Sequence, residues 1–186
     1  MNSIYSVPSF RTLFDMKICS KCLRRLLIWI TLTTISVIVG LIFDMVIFNT
    51  KHFPFYIRII GFIGILLSHF LLKRSGKLIR EFGKCELWGW STKLITHDIY
   101  KCTRHPHHLG VGLFMTFLGL LIAYPFSFII ITFSQWLWVV LFVLLIEEKE
   151  CMEKFGEQYL QYRKTVPLLI GNPICIIKEL CSSSIL

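Results

Sequence analysis

Two short polar stretches hold most of the side chains in this sequence that could do chemistry. The first, Thr92-Lys93-Leu94-Ile95-Thr96-His97-Asp98-Ile99-Tyr100-Lys101-Cys102-Thr103-Arg104-His105-Pro106-His107-His108, carries four of the six histidines. The second, Glu147-Glu148-Lys149-Glu150-Cys151-Met152-Glu153-Lys154-Phe155-Gly156-Glu157-Gln158-Tyr159, carries five of the eleven acidic residues and runs on through Tyr162-Arg163-Lys164-Thr165-Val166-Pro167. Carboxylates beside imidazoles and guanidinium groups can bind ions of either sign and move protons. Pro106 suits the first turn of a helix, where a missing N–H costs nothing, and the free amides of such a turn favour a carboxylate or phosphate.

Clustered histidine beside paired glutamates also suggests metal binding of the kind found in membrane di-iron desaturases. The group His105-Pro106-His107-His108, with His97 nearby, supplies too few ligands for two ions, and the proline restricts how His105 and His107 converge. No metal is expected. Cys19-Ser20-Lys21-Cys22 is a single CxxC without a second pair, closer to a juxtamembrane acylation site than to a zinc site.

Whatever brings the two stretches together lies between them. Leu109 to Ile146 is a run of 38 residues without one Asp, Glu, Lys, Arg or His. As a single helix it would span roughly 57 Å, nearly twice a ~30 Å hydrocarbon core, so it must turn. The turning point is Tyr124-Pro125-Phe126-Ser127, where proline removes a backbone donor and disfavours helix before it. The result is a helical hairpin whose ends return to one side of the membrane, placing Arg104-His105 within about 8–10 Å of Glu147-Glu148.

The rest of the chain fits the same solvent. Hydrophobic residues make up 55%, charged residues 17%, and the mean hydropathy is +0.67, which disfavours a soluble fold. Leu26 to Phe43 is a charge-free run of 18, extended by Met45 to Phe48. A second span runs from about Phe53 to Leu72, with Arg58 near one end. The expected fold is all-α: a polytopic membrane protein with about four transmembrane helices, a C-terminal hairpin and an interfacial C-terminal helix. Residues 1–75 form the N-terminal segment and first two spans, and 76–186 the core with the polar loop, hairpin and amphipathic helix.

Lys and Arg concentrate before span one, between spans two and three, and after span four, which places both termini and the middle loop in the cytoplasm. The net charge of +9 is thereby topological, and no nucleic-acid partner is needed to explain it. The N-terminus lacks the small-residue cleavage site of a signal peptide. The seven cysteines fall mostly in loops on the reducing side, so disulfides are not expected.

A plainer reading stands beside the functional one: a non-catalytic membrane protein on the same helical scaffold. Histidines and basic residues at a helix start can simply anchor it among lipid phosphates. Glu147 to Lys164 can be an interfacial helix, because Phe155, Tyr159, Tyr162 and Val166 recur at helical spacing and Glu150 pairs with Lys154 at i,i+4.

Arg104-His105-Pro106-x-x-x-Gly110, preceded by Leu94-x-Thr96-x-x-x-Tyr100 and followed by Glu147-Glu148 and Phe155-Gly156-x-x-Tyr159-x-x-Tyr162-x-x-x-Val166-Pro167, resembles the isoprenylcysteine carboxyl methyltransferase and phospholipid methyltransferase superfamily. The resemblance covers roughly residues 76–170. It implies S-adenosylmethionine as cofactor, held by Thr92, Lys93, Leu94, Ile95, Tyr100, His105, Pro106, His107, His108 and Glu148. It also implies a lipid-embedded acceptor, either a prenylated protein C-terminus or a phospholipid, with the prenylcysteine carboxylate slightly ahead. The expected site faces the cytoplasm, from the endoplasmic reticulum in a eukaryote or the plasma membrane in a prokaryote. Methyl transfer is an in-line displacement governed by positioning. Arg104 and Arg163 are the candidates to orient an acceptor carboxylate; Glu147, Glu148 or a histidine would deprotonate an amine. Three positions depart from the superfamily pattern. His108 replaces a tyrosine, Asp98 a glycine, and Val143-Leu144-Leu145-Ile146 lacks the arginine that prenylcysteine-specific members carry before the glutamate pair.

Overall fold

A computed structural model of the chain describes residues 20–82 and 93–182. Thr92, Cys19, the side chain of Cys22 and the basic residues before Ser20 lie outside the described residues. The described residues are helical and contain no strand.

Helix α1, Ser20–Ile42, continues through a wider turn at Phe43–Ile47. Helix α2 is Phe55–Phe82, α3 is Pro106–Ile122, and α4 is Pro125–Phe142, continued by a second wide turn at Val143–Glu147. Helix α5 is Glu148–Thr165 and α6 is Pro173–Ser182. Three stretches, Leu23–Ile47, Phe55–Glu81 and Pro125–Thr165, are long and apolar enough to cross a membrane, and Pro106–Ile122 is a shorter apolar helix. With 17 residues, α3 spans about 25 Å, the short end of what a crossing requires. The chain is a polytopic helical membrane protein.

The helices pack in the order α2, α3, α4, α1, each against the next. Little hydrophobic force separates protein from lipid inside a bilayer, so close approach of backbones has to supply the packing. Gly61 and Gly64 allow it: a Cβ at Gly64 would stand 2.1 Å from the Phe117 ring, and one at Gly61 would stand 2.7 Å from the Leu121 amide. Ile59, Ile63, Leu67, Phe70, Phe133 and Leu137 are exposed on the outer faces, where an aqueous protein would not tolerate them and acyl chains do.

The hairpin turns where the sequence indicates. Pro125 opens α4 and Ala123 closes α3 in the left-handed conformation, at φ 65°. Its amide cap comes from elsewhere in the chain. Asp44, fully buried at the far end of α1, accepts hydrogen bonds from the backbone N–H of Ser127 at 2.6 Å and Phe126 at 3.1 Å, from the Ser127 hydroxyl at 2.7 Å and from Thr50 at 2.5 Å. A carboxylate at the positive end of α4 satisfies donors that lipid cannot.

Three expectations are corrected. Helix α2 runs ten residues beyond Leu72, because Lys73, Arg74, Lys77 and Arg80 are good helix formers that carry it out of the bilayer toward the polar loop. The stretch after Glu147 is not one straight helix: Gly156, at φ 52° and ψ −128°, breaks it. A disulfide also forms, joining Cys102 to Cys175 across 73 residues with a Cα–Cα distance of 5.8 Å. The odd cysteine count could not exclude a single pair.

Candidate functional site

The loop before α3 is held by the chain that follows α5. The Arg104 amide donates to the Pro167 carbonyl at 2.9 Å, the His105 amide to Leu168 at 3.2 Å, and the Thr103 hydroxyl to Leu169 at 2.8 Å. Lys101 pairs with Glu179 of α6 at 2.7 Å. Gly171 passes so close that a Cβ there would stand 1.9 Å from the Cys102 carbonyl oxygen. Val166-Pro167 thus begins a short extended segment that fixes where Arg104 and His105 point.

Asp98 occupies the position where the superfamily pattern has glycine, and its φ is 59°. Asp is one of the few residues that tolerate the left-handed region. Its carboxylate caps the Ile99 amide at 2.7 Å and pairs with Arg74 of α2. Burial alone would raise the Asp98 pKa, but the Arg74 and Ile99 hydrogen bonds hold it below the ordinary carboxylate value. The replacement therefore keeps the turn and adds a tether from the loop to α2.

Glu148 is the centre of the site. One of its oxygens accepts from His105 Nε2 at 2.8 Å and from the Tyr159 hydroxyl; the other accepts from Arg104 at 3.0 Å and lies 3.5 Å from Arg163 Nε. Glu147 stands beside it, 3.4 Å from His105 Nδ1 and 3.8 Å from His108 Nε2. With a carboxylate on each ring nitrogen, His105 is best satisfied as the doubly protonated cation. Burial would push its pKa down, but hydrogen bonds to Glu147 and Glu148 outweigh this and hold it above the ordinary histidine value.

The kink at Gly156 makes the Tyr159 contact possible. Along a straight helix, residues 148 and 159 would be separated by about 16 Å, far beyond hydrogen-bonding reach. The turn folds α5 back, so Tyr159 meets Glu148 and the Tyr162 hydroxyl meets the Tyr100 carbonyl at 2.5 Å.

Beside Glu148 lies a pocket of about 130 Å³. Lys93, Leu94, Ile95 and Tyr100 form one wall, Arg104, His105, His107 and His108 the base of α3, and Glu147 the end of α4. Pro106 is buried at the first turn of α3 beneath them. Burial and nearby Glu147 push the Tyr100 phenol pKa up, so it stays neutral. Arg163 lies on the other face of Glu148, in a shallower cleft with Leu144, Lys149, Met152 and Glu153. Of the sequence candidates among the described residues, all but Arg163, Glu148 and the buried Pro106 line the first pocket, and Glu148 forms the partition between the two clefts.

Several pocket residues were not singled out from the sequence. Phe155, Tyr159 and Tyr162 are motif positions to which the sequence assigns no role, and Cys151 and Lys154 stand there only as parts of a helix. Arg25 counted as a topological charge, yet it pairs with Glu150, which lines the pocket, at 2.5 Å and lies over the Phe142 ring. No local signal in a basic stretch reveals such a partner 125 residues away.

A family model described as phospholipid methyltransferase matches residues 51–158, more than half of the chain. The chain belongs to the phospholipid methyltransferase family. No curated protein matches it. The match spans α2, the polar loop, the α3–α4 hairpin and the start of α5, so all elements that build the pocket except the returning segment from Tyr159 onward fall within it. The family assignment makes this a membrane methyltransferase of the isoprenylcysteine and phospholipid methyltransferase kind.

Proposed function

We propose that this chain transfers a methyl group from S-adenosylmethionine to a lipid-embedded acceptor, and that the pocket around Glu148 holds the cofactor. The observation that carries the reading is the buried Arg104. Its Nη1 bonds Glu148, but its Nε is buried with no hydrogen-bond partner. An unpartnered buried guanidinium N–H calls for an anion, and the methionine carboxylate supplies one.

The remaining donors and acceptors fit the rest of such a ligand. Glu147, with only long contacts, has acceptor capacity for an ammonium or ribose hydroxyl, and the aromatic walls suit an adenine ring and a sulfonium. The cofactor supplies an activated methyl group on sulfur. Leu94, Ile95, Tyr100 and Phe155 exclude water around that group, and Arg104 and His105 fix its orientation. Lys93, on the pocket wall, and Thr92, which lies outside the described residues, are proposed to contact the adenosine end.

For the acceptor, we favour an amine-headgroup phospholipid. The stretch 143–146 carries no cation to meet a prenylcysteine carboxylate, and the shallower cleft offers Arg163 and Lys149 to a phosphate with Glu153 for an amine. A protonated amine must lose a proton before it attacks. Glu148 is fully engaged, which leaves Glu147 on the cofactor side and Glu153 on the acceptor side as the carboxylates to accept it. The half-exposed Arg163 also suits a prenylcysteine carboxylate, which keeps that acceptor as the second reading. We place the site on the cytoplasmic face, following the distribution of Lys and Arg.

Calorimetric titration with S-adenosylmethionine tests the cofactor. Saturable one-to-one binding is expected, and no binding by folded protein would end the enzyme reading. A radiolabelled methyl assay comparing phosphatidylethanolamine with acetyl-farnesylcysteine then identifies the acceptor. Incorporation into the phospholipid is expected; incorporation only into the prenylcysteine reverses our choice.

A further inference from the structure

Two histidines and a glutamate at the base of the pocket turn donor atoms toward one point. A ring nitrogen from each of His105 and His108 and a carboxylate oxygen of Glu147 all lie within 4.8 Å of one another. His105 Nδ1 is 3.4 Å from one Glu147 oxygen, and His108 Nε2 is 3.8 Å from the other. Tetrahedral zinc, with bonds of about 2.0–2.1 Å, sets its donors about 3.4 Å apart. The three groups can therefore close on an ion by shifts on the order of 1 Å or less.

The surroundings match a metal site as well as the donors do. His105 and His108 are separated by one turn at the start of α3, so a single helix end presents both. His105 Nε2 is held by Glu148 at 2.8 Å, the outer carboxylate that commonly orients a ligating histidine and fixes its tautomer. Two histidines and one carboxylate leave a fourth position open to the pocket, the donor count of zinc sites with an exchangeable ligand. In the sequence, Pro106 restricts how His105 and His107 converge. His107 instead turns toward Ser75 of α2, with Nδ1 3.3 Å from the hydroxyl, and His108 takes its place.

We propose that the cofactor-free pocket binds one divalent transition-metal ion of the zinc class through His105, His108 and Glu147, the ion displacing the His105 Nδ1 proton to solvent while Glu148 holds Nε2, and that the ion and S-adenosylmethionine exclude each other. The exclusion rests on the function proposed above. The ion claims Glu147 and both imidazoles and puts two positive charges where the cofactor's cationic groups would lie.

Cobalt(II) titration of tag-free, chelator-stripped protein in detergent tests the site. Uptake of one ion with the visible absorption of tetrahedral cobalt is expected, displaced by zinc. His108→Ala and Glu147→Gln should each weaken uptake at least ~10-fold, while His69→Ala, on the outer face of α2, leaves it unchanged. His108→Gln replaces the alanine variant if that protein does not fold. Absence of saturable uptake, or wild-type affinity in the His108 and Glu147 variants, overturns the site. Calorimetry with S-adenosylmethionine on metal-free protein keeps the two proposals apart. Cofactor binding without cobalt uptake removes the metal site and leaves the methyltransferase reading, cobalt uptake without cofactor binding removes the methyltransferase reading and the exclusion but leaves the metal site, and simultaneous saturation by both removes the exclusion.

Discussion

Glu148 shows how one side chain can be both a structural and a ligand-organising group. Its carboxylate meets two arginines, a histidine and a tyrosine, and its side chain is 7% exposed. Removing it leaves the buried charges of Arg104 and His105 without their partner, so Glu148→Ala should cost about 3–5 kcal/mol of stability and most of the cofactor affinity. Thermal unfolding and calorimetry read the two effects. His105 sets a pH dependence of known sign. Its folded-state pKa is raised, so its contribution is fully present below the unfolded histidine value near 6.5 and is lost as pH rises through the folded value. The melting temperature of the wild type should therefore fall with increasing pH above neutrality. His105→Gln should lack that component, and an identical slope in both proteins would refute the assignment.

At the scale of elements, two residues decide where helices go. Gly156 adopts a backbone conformation that side-chain-bearing residues scarcely populate, and nothing lies near the position its Cβ would take. Gly156→Ala thus isolates backbone strain from crowding. It should cost about 1–3 kcal/mol and lose cofactor binding, because Tyr159 and Tyr162 no longer return to Glu148 and Tyr100. Unchanged binding would show that the fold-back is dispensable. Asp44 acts at the other end of the hairpin. Asp44→Ala leaves the Phe126 and Ser127 amides buried without an acceptor and should destabilise the protein by about 1–3 kcal/mol, with little effect on cofactor affinity in the protein that remains folded. Equilibrium unfolding in detergent measures it.

Across the whole molecule, the disulfide and the charge distribution bear on the same question from different directions. Lys and Arg favour a cytoplasmic site, whereas Cys102–Cys175 joins the polar loop to α6 on that same face, where free thiols are the rule. Cys102 is 3% exposed, which shields the bond from reductant. Cys175→Ser should lower stability by about 2–4 kcal/mol, and added dithiol should reproduce the loss slowly in the wild type. Orientation is measured by labelling with a membrane-impermeant thiol reagent in sealed vesicles. A cysteine placed at Lys164 should react only from the cytoplasmic side and one at His52 only from the other.

By itself the amino-acid order determined the solvent, the existence of the apolar spans and the hairpin. A charge-free run longer than one bilayer crossing has to turn, and Pro125 is where it can. That turn brings Arg104 and His105 to Glu147 and Glu148, so the heart of the candidate site was legible as a consequence of topology. Which oxygen meets which nitrogen was not. The roles of Tyr159, Asp44 and Arg25 depend on contacts across 11, 83 and 125 residues. Such contacts arise from a glycine kink, a buried cap and helix packing, none of which leaves a periodic pattern. His107 and His108 were indistinguishable as neighbours in the chain. Only the rotation of α3 against α2 and α4 turns one toward Ser75 and the other toward Glu147, because successive residues on a helix point about 100° apart.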